Sequence, residues 1–373
     1  MIRIVSIFCA TLLIYNNVNC QDTSWHFRSG IQCSKLLVHT PKFGIKPHGI
    51  GSILDLAISK SVNPKKYPYN SDQIYAGALI KYFDLGQPSN VLGDAYGLVL
   101  FYDFRYRLGP LATGWFLIGS GLSYNQRIYH FQNNPQQNAI STHLNNMTTF
   151  EWRVSIPVKQ SFNIYSGIAL CHISNGAFKS PNLGLNYINI LLGVQSGYIP
   201  RSRPVRPQIT NRKMWMFACQ YGLAWTEHKV PGGPKFKIDI LDLQAGRFYC
   251  PIRIMKAGLE AEYHSLSAYF AERSETKPDI QSARSVSYRL HVFGAHEWIF
   301  GPTTLETRLG YQFLQNTILA GIPLYVKLIF QYHYRIPYLQ GVSGNVGIAL
   351  KAHYGNAEYI SVSAGIRYRK IKS

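Results

Sequence analysis

Leu324-Tyr325-Val326-Lys327-Leu328-Ile329-Phe330-Gln331-Tyr332-His333-Tyr334-Arg335 is the stretch whose reading decides the fold. Leu324, Val326, Leu328, Phe330 and Tyr332 form one row of alternate positions, and Lys327, Gln331, His333 and Arg335 belong to the other. Successive side chains of a strand point to opposite faces, so this segment has one apolar and one polar wall. In a membrane-crossing barrel the apolar row meets lipid and the polar row lines the lumen. The last such segment repeats the pattern: Val362, Ala364, Ile366 and Tyr368 alternate with Ser361, Ser363, Arg367 and Arg369, while Tyr359 is out of phase.

Working outward, the same period-two unit recurs along the chain, separated by Gly, Pro, Asn or Ser clusters. The examples are Ala95 to Arg105, Gly114 to Tyr124, Met147 to Val158, Ser161 to Ser174, Asn186 to Tyr198, Lys213 to Thr226 and Lys235 to Phe248. They continue with Ile252 to His264, Val286 to Trp298, Thr303 to Phe313, Leu324 to Arg335, Asn345 to Tyr354 and Glu358 to Arg369. Trp25 to Ile31 and Gly51 to Ile58 add two weaker segments. The expected fold is all-β: one transmembrane antiparallel β-barrel of roughly 12–16 strands, with 14 as the central expectation. Three prolines between Ile199 and Pro207 remove ladder donors and make that stretch a loop. Since the strand pattern resumes after it, the expectation is a long connection in one barrel rather than a domain linker.

Residues 1–20 read as an export signal: Arg3 supplies the positive start, Ile4 to Tyr15 the apolar core, and Val18-Asn19-Cys20 the cleavage site. The expected domains are therefore a removed signal over 1–20 and a single outer-membrane barrel over 21–373. A lipidated Cys20 is the competing reading. No later stretch is long and apolar enough for a membrane-spanning helix. The 26 Tyr, 19 Phe and only 15% charged residues suit an outer wall in lipid with aromatic girdles. The net charge of +20 is scattered singly rather than in runs, which argues against nucleic acid and suits anionic lipid headgroups. Cys33, Cys171, Cys219 and Cys250 match neither a zinc site nor a redox pair, and Cys171 and Cys219, inside strand-like segments, are expected to be free thiols rather than disulfides.

The chemistry centres on Ser161 to Ser174, whose apolar row of even positions ends in His172 and Ser174. That parity puts an imidazole and a hydroxyl on the same lipid-facing side, near a strand end. Such a pair lets the histidine take the serine proton as the oxygen attacks an ester carbonyl. An H-x-S at a strand end also fits a strand that has simply reached the rim, and spacing alone does not separate the two.

The longer run His172-Ile173-Ser174-Asn175-Gly176-Ala177-Phe178-Lys179-Ser180-Pro181-Asn182-Leu183-Gly184-Leu185-Asn186 resembles the signature of the outer-membrane lipid A 3-O-deacylase (PagL-like) family, also called acyloxyacyl hydrolases. Leu92-Gly93, the stretch from Asn133 to Ser141 and Leu350 to Glu358 look like further segments of its longer members. The resemblance implies His172 as base and Ser174 as nucleophile, with Asn175 and Asn182 shaping the site and Asn182 as an oxyanion donor. It implies removal of an ester-linked acyl chain from lipid A in the outer membrane, with lipopolysaccharide as partner and neither cofactor nor metal. The family's orienting glutamate, fourteen residues after the histidine, is Asn186 here. An asparagine can still accept from one ring N–H but supplies no charge, so Asn186 completes the expected catalytic set and Glu151 is held as a substitute carboxylate. The runner-up is a barrel of the same ancestry with weak or no turnover, acting as a lipid-binding structural protein or small pore. His291, His296 and Glu297, and His264 with Glu260 and Glu262, lack the spacing of a metal site along one strand face.

Overall fold

The computed structural model describes residues 25–62, 74–86, 88–159, 162–196, 214–228, 231–250, 252–273, 285, 287–315, 323–353 and 356–369. The 1–20 signal and the 199–207 loop lie outside these residues. The chain divides into two compact units, Met1–Asn175 with Pro181–Pro207, and Gly176–Ser180 with Gln208–Ser373.

The first unit is a closed antiparallel barrel of eight strands: β1 (Trp25–Leu36), β2 (Gly51–Ser61), β3 (Ile74–Asp84), β4 (Asp94–Arg107), β5 (Thr113–Asn125), β6 (Leu144–Lys159), β7 (Phe162–Ser174) and β8 (Leu185–Ser196). A short helix, α1 (Ser89–Leu92), joins β3 to β4. Closure is made by β1 against β8, with Leu36 opposite Tyr187. The second unit is another closed barrel of β9 (Trp215–Glu227), β10 (Lys235–Cys250), β11 (Arg253–His264), β12 (Tyr288–Phe300), β13 (Thr303–Gln315), β14 (Leu324–Arg335), β15 (Val342–His353) and β16 (Asn356–Arg369). Here β16 returns to β9, and α2 (Ser265–Glu272) follows β11.

Two expectations are corrected. Sixteen strands among the described residues replace the central figure of fourteen, and they close twice instead of forming a single barrel through 21–373. The alternation that marks each strand is the same wherever the sheet closes, so it could not reveal the β1–β8 seam. The strand absent from the sequence reading is β3. Its inward row contains Tyr75, Leu79, Lys81 and Phe83 and its outward row Ala76, Ala78 and Ile80, so both faces are mostly apolar and the one lysine does not make an alternation.

Both barrels put apolar groups outside and many charges inside, the inverse of a water-soluble barrel. Eight strands leave an interior just wide enough for side chains to fill. The first lumen has two zones. One is an ion-pair cluster in which buried Glu151 accepts from Arg28 and, at 2.9 Å, from Lys81, while Arg153 pairs with Asp103. The other is an apolar core including Leu79, Phe83, Leu117, Met147, Ile173 and Leu185. Ile173 and Leu185 sit beside His172 and Asn186 in sequence with opposite facing, so the wall beneath the dyad is anchored by packed side chains. The second lumen holds Lys256 between Glu297 and Glu306, Arg308 on Asp242 and Glu260, and Lys351 on Glu262. Tyr359, the residue out of phase in the sequence, is an inward one whose hydroxyl donates to Glu262. All four cysteines after residue 20 are free.

Candidate active site

Strand parity and register assemble the site on the outward face of the first barrel. In β7 the inward row runs Tyr165, Ala169, Cys171 and Ile173, which leaves His172 and Ser174 on the row of exposed Ile164, Ile168 and Leu170. Across the β7–β8 ladder His172 lies directly opposite Asn186. Toward β6 it lies opposite Thr148, itself opposite Ser120 of β5. Four neighbouring strands thus carry a polar row where the outer wall is otherwise apolar. The polar groups of Ser120, Asn146 and Thr148 satisfy one another: Asn146 Nδ2 donates to Ser120 Oγ at 2.9 Å and Thr148 Oγ1 to Asn146 Oδ1 at 2.9 Å.

His172 Nε2 is 2.9 Å from Ser174 Oγ, and His172 Nδ1 is 2.6 Å from Asn186 Oδ1. An amide oxygen only accepts, so Nδ1 carries the ring proton and Nε2 offers its lone pair to the serine hydroxyl. That is the tautomer a general base needs. Ser174 is buried and His172 half-buried.

The loops around this end of the barrel explain the Pro181-Asn182-Leu183-Gly184 element. Gly184 has φ 79°, in the left-handed region, and a Cβ there would lie 2.8 Å from His172 Cε1. Only glycine meets both demands without strain. Its N–H donates to Ala139 O at 2.8 Å, which ties the segment to the β5–β6 loop. Asn182 Oδ1 accepts from the Asn175 N–H at 3.0 Å, and Asn175 Nδ2 donates to buried Ser141 Oγ at 3.1 Å. Asn175 is therefore a brace between the end of β7 and the loop. Asn182 is committed through its oxygen, leaving its NH2 as the donating end.

Glu151 is not the substitute carboxylate. It lies on the inward row of β6, opposite Ala169 and fully buried among Arg28, Lys81 and Arg153, so the barrel wall separates it from His172. The group missed from the sequence is His39, in the loop after β1. Asn186 Nδ2 donates to His39 Nδ1 at 3.1 Å, and His39 Nε2 is 3.0 Å from Leu183 O. No sequence spacing announces a residue 147 positions from its partner. In the second barrel Glu260, Glu262 and His291 come together with their ligand atoms within 4.8 Å of one another. Arg308 and Lys327 already pair with Glu260, and Lys351 with Glu262, so those carboxylates are neutralised by the chain itself.

Residues 68–195 match the lipid A 3-O-deacylase (PagL) family model. The resemblance read from the run between His172 and Asn186 is thereby borne out, and the PagL span contains His172, Ser174, Asn175, Asn182 and Asn186. His39 lies before it. Among solved structures, the outer membrane enzyme PagL aligns at 13% identity over 45% of this chain and 97% of its own, with a TM-score of 0.29. OccK1 (OpdK) of Pseudomonas aeruginosa aligns at 8% identity over 93% of this chain and 98% of its own, with a TM-score of 0.24. A Rhodopseudomonas blastica porin triple mutant aligns at 10% identity over 92% and 99%, with a TM-score of 0.18. No curated protein matches the chain.

Proposed function

We propose that the chain is an outer-membrane ester hydrolase that removes an acyl chain from lipid A by a His172/Ser174 mechanism on the lipid-facing wall of its first barrel, after export and removal of residues 1–20. The observation that carries this reading is the Ser174 Oγ–His172 Nε2–Asn186 Oδ1 arrangement, with bonds of 2.9 and 2.6 Å, within the span that matches the PagL model. The 3-position of the ester comes from that family likeness.

In the first half-reaction Ser174 Oγ attacks the acyl carbonyl carbon while His172 Nε2 takes the hydroxyl proton. Asn186 Oδ1 holds the Nδ1–H of the resulting imidazolium. The tetrahedral intermediate collapses, the sugar oxygen leaves with the proton from Nε2, and the acyl group remains on Ser174. Water then attacks the acyl-enzyme with His172 again as base, which releases the fatty acid and restores the serine. The NH2 of Asn182 is the candidate donor to the oxyanion, a contribution typically worth about 3 kcal/mol. Asn175 holds that side chain in place through its N–H. The charge of +20 favours the anionic phosphates of a lipopolysaccharide surface.

The reading is tested with the full chain refolded in detergent and purified lipid A in mixed micelles. Release of a hydroxy fatty acid by the wild type and not by Ser174→Ala is the expected result. Equal release by both, or none by the wild type, counts against it.

A further inference from the structure

We infer that His39 is a positioning residue that fixes the orientation of the Asn186 amide and thereby the tautomer of His172; the inference rests on the hydrolase reading above. A carboxylate presents an acceptor oxygen to a neighbouring imidazole whichever way it is turned. An amide does not. Turned one way, Asn186 offers Oδ1 to His172 Nδ1–H; turned the other, it offers an NH2, which requires an unprotonated Nδ1 and moves the ring proton to Nε2. With Nε2 protonated, His172 cannot accept from Ser174.

An amide at this position therefore needs something that selects the productive rotamer, and His39 meets that need. Its Nε2–H donates to Leu183 O at 3.0 Å, which leaves Nδ1 as an acceptor, and that lone pair receives the Asn186 NH2 at 3.1 Å. The competing approach of His39 Nδ1 to Leu37 O is 3.5 Å, at the limit of a hydrogen bond, so the two shorter contacts decide the tautomer. The ring is steadied edge-on against buried Phe43, with centroids 5.7 Å apart. The loop is fixed at both ends of this contact: Leu37 N donates to Asn186 O at 2.8 Å, and Asn138 bridges the Gly44 N–H and Lys42 O. The result is a directional chain from Leu183 O through His39, Asn186 and His172 to Ser174, in which every donor meets an acceptor.

The test is a double-mutant cycle on lipid A turnover with the full chain. His39→Ala is expected to lower kcat by roughly tenfold to a hundredfold with little change in KM, since a wrong tautomer in a Ser-His system can cost up to about 10⁴. His39→Gln, whose side-chain oxygen can accept from the Asn186 NH2, regains most of that loss. In an Asn186→Glu background the same His39→Ala change costs less than about twofold, because a carboxylate needs no orienting. An equal loss in both backgrounds, a loss confined to KM, or full activity of His39→Ala overturns the inference. Absence of turnover by the wild type sinks the deacylase reading alone, because the tautomers are also read directly by ¹⁵N nuclear magnetic resonance of the histidine rings. There His39 is expected as the Nε2–H form and His172 as the Nδ1–H form. A protonated Nδ1 on His39 contradicts the proposal.

Discussion

The two barrels use the same residue types on opposite sides of their walls. In the first, His172 points outward, meets a serine hydroxyl and is held by a neutral amide. In the second, His264 and His291 point inward and meet Glu262, their nitrogens 2.8 and 3.3 Å from its Oε2, with Lys351 already paired to that carboxylate. Inward histidines belong to a packed charge network that holds the lumen together; the outward one stands on the apolar outer wall. The lumens differ to match. Beneath the dyad the first barrel has a largely apolar core, so the strand ends that carry His172 and Asn186 rest on close packing rather than on ion pairs. The lesson is that, in a barrel, strand parity decides whether a histidine is structural or chemically available.

Five substitutions break or sharpen that comparison. The largest effect is expected from His172→Ala, which removes the base and should lower kcat on lipid A by about 10⁴-fold or more, whereas His291→Ala leaves the turnover of folded protein unchanged. Comparable losses from both would erase the distinction. Next, Glu151→Ala leaves Arg28 and Lys81 without their shared carboxylate, and urea unfolding in detergent should show a cost of about 3–5 kcal/mol to the first barrel. Gly184→Ala forces a side chain into the left-handed region and against the His172 ring, a strain of roughly 1–3 kcal/mol that should appear as lower kcat in protein that still folds. The smallest change is a gain: Asn186→Glu supplies charge to the imidazolium and should raise kcat by roughly tenfold, read under saturating lipid A.

Strand positions and facings were legible because a barrel wall imposes a strict period of two, as Leu324–Arg335 illustrates. Closure was not, since a hydrogen-bonded seam leaves no mark on alternation, and β3, mostly apolar on both faces, gave no clear alternation to read. The dyad and Asn186 were visible from parity and from the family run. His39 was hidden by the same missing seam. A single large barrel gives no reason to pair β1 with β8; closure after eight strands sets Leu36 opposite Tyr187 and carries the next loop to Asn186. The inward facing of Glu151 was legible by the same parity: Phe150, Trp152, Val154 and Ile156 form the apolar row of its strand, which leaves Glu151 on the lumen side and away from the outward His172.

The most direct measurement is mass spectrometry of lipid A from cells expressing the wild type or Ser174→Ala, with both proteins verified in the outer membrane. Loss of one hydroxyacyl chain with the wild type and unaltered lipid A with Ser174→Ala is the predicted result. Lipid A left intact by both, or trimmed equally by both, would contradict the assignment of an acyl hydrolase to the outward face of the first barrel.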